Sequence, residues 1–188
     1  ARGLLMRFET SRAELYKTVH PGSTLDERIS HIRRAYEIGY LVITGGLIGI
    51  PGQTNEDLLN DIILTKELNA EMFSFGPFIP HPETPFGKYN PPDTDTVLKV
   101  LAISRIADPE NAKILVTTAF ETVEPDARKK GLMSGANSVM ITVTPENLRG
   151  KYDIYPGKAY LNDSLEKQIS GTITTLRNLG RAPTDLGV

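Results

Sequence analysis

At 188 residues the chain is long enough to bury a sizeable core and reads as one domain, residues 1–188. Its 21 basic and 23 acidic residues leave a net charge of −2, with no global bias toward nucleic acid or an anionic membrane surface. Zero cysteine excludes disulfides, a thiolate nucleophile and any cysteine-ligated metal within these residues. The three histidines, His20, His31 and His81, lack zinc-type spacing, so no self-contained metal site is expected.

Ala1 stands where an initiator Met would be expected, and residues 3–8 already read as a buried strand, so the chain is expected to be cut from a longer one. Residues 11–23 read as a polar connection containing His20-Pro21-Gly22. Thr24-x-x-Glu27 is a capping box for a helix with Leu25, Ile29, Ile32 and Tyr36 on one apolar face, and Gly39 ends it. Residues 40–44 form the second strand, broken by Gly45-Gly46 and then Gly49-Ile50-Pro51-Gly52. Thr54-x-x-Asp57 opens the next helix, with Leu58, Leu59, Ile62 and Ile63 expected inside. The third strand spans about 71–75 and runs into Gly76–Pro85, where four prolines forbid helix and ladder pairing and imply a stiff loop.

Residues 93–106 form the third helix, closed by Pro109. The fourth strand, 113–116, reaches Thr117-Thr118-Ala119. A shorter helix follows over about 125–134, with Pro125 suited to its first position. Residues 138–141 are the fifth strand, and a last helix, about 164–179, is expected to bury Leu165, Ile169, Ile173 and Leu176. No apolar run approaches the ~20 residues of a membrane span and no signal-peptide pattern opens the chain, so a cytoplasmic protein without membrane partners is expected.

Alternating strands and helices imply an α/β fold of parallel units, with chemistry at the C-terminal ends of the strands. The polar or strained residues cluster there: Arg7 with Glu9, Gly45-Gly46, Gly76-Pro77 and Thr117-Thr118. Five units are too few for a closed eight-stranded barrel of ~250 residues. An open doubly wound sheet could use five, but no turn carries G-x-G-x-x-G or a Walker lysine, and Gly46–Gly52 lacks the GK[ST] ending of a phosphate cradle.

Five segments taken together carry a resemblance. They are Arg7-Phe8-Glu9-Thr10, Gly49-Ile50-Pro51-Gly52-Gln53-Thr54, Gly76–Pro85, Thr117-Thr118-Ala119 and Tyr155-Pro156-Gly157-Lys158. In order and approximate spacing, from Leu4 to about residue 187, the chain resembles the radical S-adenosylmethionine (SAM) maturases of FeFe-hydrogenase, the HydE type, within the biotin-synthase-like superfamily. The resemblance implies the C-terminal five β/α units of a TIM-like (β/α)8 barrel. It also implies SAM and a 4Fe–4S cluster as cofactors, with the cluster's three-cysteine loop in the absent N-terminal units. The full-length enzyme would cleave SAM reductively to a 5′-deoxyadenosyl radical, and the fragment alone would be inactive. The implied substrate is small or organometallic, destined for the hydrogenase diiron cluster, and the implied partners are the other hydrogenase maturases.

The same resemblance distributes roles over the residues. Arg7, Glu9 and Arg28 match SAM-binding positions, and their chemistry suits a zwitterion: Glu9 accepts from hydroxyl or amino groups, while the arginines pair with a carboxylate. Gly45 and Gly46 would admit a flat adenine, and Pro77 to Ile79 would wall it. Thr117, Thr118, Met140, Tyr152 and Tyr155 match substrate-side positions. Each assignment has a structural alternative: an Arg7–Glu9 pair, an exposed helical charge at Arg28, a tight turn at the glycines, helix capping by threonine and core packing by Met140. His81, flanked by prolines, reads as structural. Two departures make the substrate less certain than the cofactor: Leu115-Val116 precede Thr117 where the family has Pro before Ala-Thr-Thr, and Ile141-Thr142 follow Met140 where it has Pro-Asn. Another biotin-synthase-like reaction therefore stays open, as does a noncatalytic half-barrel binding module. A half-barrel would associate through its bare sheet edges.

Overall fold

The computed structural model describes residues 1–152 and 154–184. Helix starts follow the local signals. Thr24 caps α2 (Leu25–Glu37) and Thr54 caps α3 (Asn55–Glu67), each in a reciprocal capping box with Glu27 or Asp57. Asp93 caps α4 (Thr94–Ala107) and Ser164 caps α8 (Leu165–Asn178). Each such cap satisfies amides that would otherwise be orphaned at the helix start, worth about 1 kcal/mol. Gly39, at φ 91°, terminates α2 as expected.

Between the helices run β1 (Gly3–Leu5), β2 (Leu41–Thr44), β4 (Met72–Phe73), β6 (Lys113–Val116) and β7 (Ser138–Val139), all parallel, in the order β1-β2-β4-β6-β7. A second parallel pair, β3 (Leu47–Ile48) with β5 (Gly76–Pro77), extends the rim beyond β2 and β4. The main core lies between this sheet and α3, α4 and α6 (Ala127–Met133), around Phe73, Phe75, Val100, Leu101, Ile114 and Val116. A second cluster, with Phe8, Tyr16, Ile32 and Val42, sits under α1 (Ala13–Val19) and α2. Burying each such side chain contributes about 1.5–3 kcal/mol.

Several expectations need correction. The first strand is short and mostly exposed rather than buried over 3–8. The 11–23 connection contains α1, whose Leu15 and Tyr16 enter the core; seven residues were too few for periodicity to reveal. Tyr36, Leu59, Ile63 and Ile169 are exposed. On α8 the buried positions are Gln168 and Thr172, because this helix packs on a polar loop and not on the sheet. Pro125 precedes the N-cap Asp126 of α6 and does not open the helix. Two short helices were also missed, α5 (Thr118–Val123) and α7 (Glu146–Arg149).

Pro77 does take part in a ladder. The amides of Gly76 and Phe78 donate to the carbonyls of Gly46 and Ile48, so the proline occupies the position whose N–H points away from β3.

Candidate functional site

β6 ends at Val116 and the chain turns at once into α5. Thr117 caps that helix, accepting from the Phe120 amide, so the capping alternative holds for its hydroxyl. Thr118 is also buried, yet its Oγ1 has no hydrogen-bond partner. Both threonines line a cleft of about 380 Å³ over the C-terminal ends of the strands. Ser74, from the end of β4, and Arg7, beyond β1, complete its floor.

The cleft is covered by the segment that leaves β7. Met140, Ile141, Thr142 and Val143 line it just after β7, and Tyr152, Ile154, Tyr155 and Lys158 line it from further along the chain. Of the residues expected at the site, Arg7, Thr117, Thr118, Met140, Tyr152 and Tyr155 therefore meet in one cavity. Tyr155 is half-buried, and burial raises its phenol pKa; an opposing hydrogen bond with Thr122 lowers it. Lys158 Nζ lies 5.2 Å from the centre of the Tyr152 ring.

Arg7 connects this cleft to a second group. Its Nε is 3.4 Å from Glu9 Oε2, which is buried and accepts no hydrogen bond. The two residues do not share an extended strand face. Glu9 adopts φ 68°, a left-handed conformation that costs a non-glycine residue about 1 kcal/mol or more. It is held there by the bridge to Gly46, with the Glu9 amide donating to Gly45 and its carbonyl accepting from Leu47. On its far side stand His20 and Arg28. Burial lowers the His20 pKa, the charge of Glu9 raises it and that of Arg28 lowers it further. Arg28 Nε donates to the Tyr16 hydroxyl at 3.2 Å, and Tyr16 stacks on His20. Arg28 thus stands beside the Glu9 end, outside the cleft.

Gly45, Gly46, Pro77 and Ile79 also lie outside the cleft lining. A Cβ on Gly45 would meet the Ser74 carbonyl at 2.5 Å, and one on Gly46 the Glu9 carbonyl at 2.7 Å. These glycines are required by the close approach of neighbouring strands, as the tight-turn alternative held. Pro77 is buried in the β3–β5 pair and Ile79 is half-buried. His81 accepts the amides of Glu83 and Thr84 within its own turn, as its structural reading anticipated.

Three polar clusters escaped the sequence reading. Glu121 on α5, with its side chain almost wholly buried, pairs with Arg128 and accepts from the Tyr160 hydroxyl at 2.7 Å. Burial raises the Glu121 pKa against the pull of Tyr160 and Arg128. Arg149 is buried with its donors on the carbonyls of Thr144, Tyr160 and Asp163. Asp61, fully buried, accepts from the Ser11 amide and from Gln53 Nε2, and burial pushes its pKa up to about 6. Gln53 Oε1 in turn accepts the amides of Gly49 and Ile50, which leaves no free amide pair there for a phosphate. Only Gln53, within the Gly-Ile-Pro-Gly-Gln-Thr segment, carried a local signal. The partners of Glu121 and Arg149 lie too far along the chain for spacing to expose them.

Among the described residues there is no cluster of metal-ligating side chains, and no helix is long and apolar enough to cross a membrane.

Comparison with known proteins gives the geometry its context. The Biotin and Thiamin Synthesis associated domain matches residues 74–180. The FeFe-hydrogenase maturase subunit HydE of Thermotoga maritima is 35% identical over 95% of this chain and 51% of its own length. A biotin synthase of Hyphomonas neptunium is 27% identical over 71% of this chain and 41% of its own length. The solved structure of methylornithine synthase (PylB) superposes with a TM-score of 0.78 over 98% of this chain and 52% of that one, at 24% identity. That last likeness establishes the fold: a partial, C-terminal portion of the barrel, with the parallel α/β architecture read from the sequence. The chain spans about half the length of the HydE relative and less of the biotin synthases. The resemblance to HydE-type and biotin-synthase-like proteins is borne out, and the chain belongs to the Biotin and Thiamin Synthesis associated domain family.

Proposed function

We propose that this chain is the C-terminal part of a radical SAM enzyme, in which the Arg7–Glu9 end binds SAM and the cleft under Tyr152 and Tyr155 holds the substrate. The observation that carries the reading is the Arg7–Glu9 pair. It offers both signs of charge at the rim of the cleft, and its buried Glu9 Oε2 accepts no hydrogen bond. A buried carboxylate oxygen without a donor is costly unless a ligand supplies one. SAM fits this demand, since its ribose hydroxyls and amino group donate and its carboxylate pairs with arginine. The left-handed backbone at Glu9 is further support, because such strain concentrates at ligand sites.

Arg7 and Glu9 would hold the polar end of SAM, with Arg28 adding positive charge behind them. Pro77 and Ile79, with the backbone at Gly45 and Gly46, would border its adenine. A 4Fe–4S cluster, whose ligands would lie outside this chain, would supply the one electron that cleaves bound SAM into methionine and a 5′-deoxyadenosyl radical. The residues of this chain would orient the reactants, and the half-buried Tyr155, Met140 and Ile141 line the cleft with apolar surface that would help shield a radical from quenching.

The 35% identity to HydE favours a maturase of the FeFe-hydrogenase diiron cluster that works with the other hydrogenase maturases on a small or organometallic substrate. Residues 1–188 act as one partial barrel domain in this reading. Its open sheet edges pair with the rest of the barrel, and the enzyme works in the cytoplasm. Anaerobic reconstitution of the full-length protein with iron, sulfide and SAM tests the proposal. Reduction should release 5′-deoxyadenosine, and Glu9→Gln should weaken SAM binding about tenfold or more by removing a charged acceptor. SAM left intact by the reduced wild-type protein would overturn it.

A further inference from the structure

Glu9 sits at the centre of a γ-turn: the Thr10 amide donates to the Phe8 carbonyl at 2.9 Å, with Glu9 between them at φ 68°. A γ-turn of this hand is strained for a residue with a side chain, so the surrounding structure must hold it closed. The bridge to Gly46 fixes one side of the turn. The residues that follow it, Ser11 and Arg12, are fastened by α3.

Asp61, on α3, is 0% exposed. One of its carboxylate oxygens accepts the Ser11 amide and the other accepts Gln53 Nε2 at 3.1 Å. Gln53 passes the constraint on. Its Nε2 also donates to the Leu47 carbonyl at 2.9 Å, and its Oε1 accepts the amides of Gly49 and Ile50 at 2.7 and 3.2 Å. The Leu47 amide donates in turn to the Glu9 carbonyl at 2.8 Å, which closes a ring through both loops. Asp57, one helical turn earlier, makes an outer tie between the same loops. It accepts from Arg12 Nη1 at 2.8 Å, while Arg12 Nη2 donates to the Gly52 carbonyl at 2.7 Å.

The direction of each bond in the ring is set. The amides of Gly49 and Ile50 only donate, so Gln53 turns its oxygen to them and its amide group to Asp61. The Ser11 amide only donates as well. Position 61 therefore faces two donors and needs two acceptor oxygens, which a carboxylate has and an asparagine lacks. An apolar residue there would avoid the desolvation of a buried charge, so packing alone does not ask for an aspartate.

We propose that Asp61 is a positioning residue for the SAM end of the site, which keeps the Glu9 turn closed and in register with the 47–50 segment. This rests on the placement of SAM at Glu9 and adds the group that holds Glu9 in shape. Asp61 is too deeply buried to meet a ligand and acts through Glu9.

The test compares full-length wild type, Asp61→Asn, Glu9→Gln and the double variant at about pH 8, where Asp61, its pKa pushed up to about 6, is ionised. Calorimetric titration should show Asp61→Asn binding SAM about tenfold or more weakly than the wild type. Adding Asp61→Asn to Glu9→Gln should weaken binding by no more than about twofold further, because the two residues act as one unit. Full multiplication of the two single effects overturns the proposal. Hydrogen exchange without SAM gives a readout that needs no ligand. Amides of residues 9–12 and 47–50 should exchange about tenfold faster in Asp61→Asn, with those of β6 unchanged. Gln53→Met, which leaves the Asp61–Ser11 contact and cuts the link to the second loop, should loosen 47–50 and serves if Asp61→Asn does not fold. Wild-type exchange in both segments of either folded variant overturns the proposal. A wild type that fails to bind SAM sinks the radical SAM reading, and the exchange of the two segments still decides whether Asp61 holds the turn.

Discussion

The two sides of the cleft are built by opposite means. Its floor is strand-borne: Ser74, Thr117 and Thr118 stand at the ends of β4 and β6, whose other residues are locked by Phe73, Ile114 and Val116 in an apolar core. Its roof comes from the described residues between 140 and 163, where α7 is the regular element, and it is held by polar clamps. Arg149 gathers three carbonyls of that segment, Arg128 reaches the Met140 carbonyl and the Thr172 hydroxyl, and Tyr160 is tied to Glu121. Apolar burial is non-directional and tolerates small shifts, whereas buried charge is expensive unless every partner is present. The floor should therefore be the constant part of the site and the roof the part that a single substitution can release.

The comparison breaks most visibly at Glu121. Replacing it with alanine leaves Arg128 buried without a carboxylate and frees Tyr160, at a cost of about 3–5 kcal/mol. Urea unfolding should show this loss, and limited proteolysis should cut within 140–163 before the sheet opens. Simultaneous loss of sheet and roof would contradict the division.

Away from the roof, a buried polar clamp at Asp61 on α3 can be isolated by pH. The folded chain holds the Asp61 proton up to about pH 6, while its ordinary value is 3.8. The raised value means that the native state binds the proton more tightly than the unfolded chain. Stability from this group is therefore fully present below about pH 4 and declines as pH rises to about 6, by at most about 3 kcal/mol. Glu121 is displaced in the same direction, so the informative quantity is the difference between proteins. Asp61→Asn should flatten the slope of unfolding free energy between pH 4 and 6 relative to the wild type. An unchanged slope would mean that Ser11 and Gln53 hold the carboxylate ionised.

The smallest effect is expected at Thr118. Thr118→Val removes a buried hydroxyl that bonds to nothing, so stability should change by no more than about 1 kcal/mol, in the stabilising direction. Thermal denaturation reads that change. A loss of stability would mean that the hydroxyl is satisfied within the fold.

Most of the floor was legible in the sequence because its signals are local. The fourth strand was placed at Lys113–Val116 from its apolar run, Thr24-x-x-Glu27 and Thr54-x-x-Asp57 marked their helices, and Thr117-Thr118 followed from strand-end logic. The roof was legible only through resemblance. Tyr152 and Tyr155 follow from it, whereas Lys158 carries no signal beyond its place in Tyr155-Pro156-Gly157-Lys158. Arg149, Arg128 and Glu121 look like ordinary charges along their helices, and only tertiary placement buries them. The same blindness explains α8: its apolar period promised Ile169 to the core, while Gln168 was drawn inside by the backbone of Thr142.

The central claim is that one site has two separable ends, SAM at Glu9 and the substrate in the cleft. The most direct measurement is a calorimetric titration of SAM into the full-length wild type, Glu9→Gln and Thr118→Val. The account predicts that Glu9→Gln loses SAM affinity about tenfold or more and that Thr118→Val keeps it. SAM affinity unchanged in Glu9→Gln, or lost in Thr118→Val with its fold intact, would contradict it.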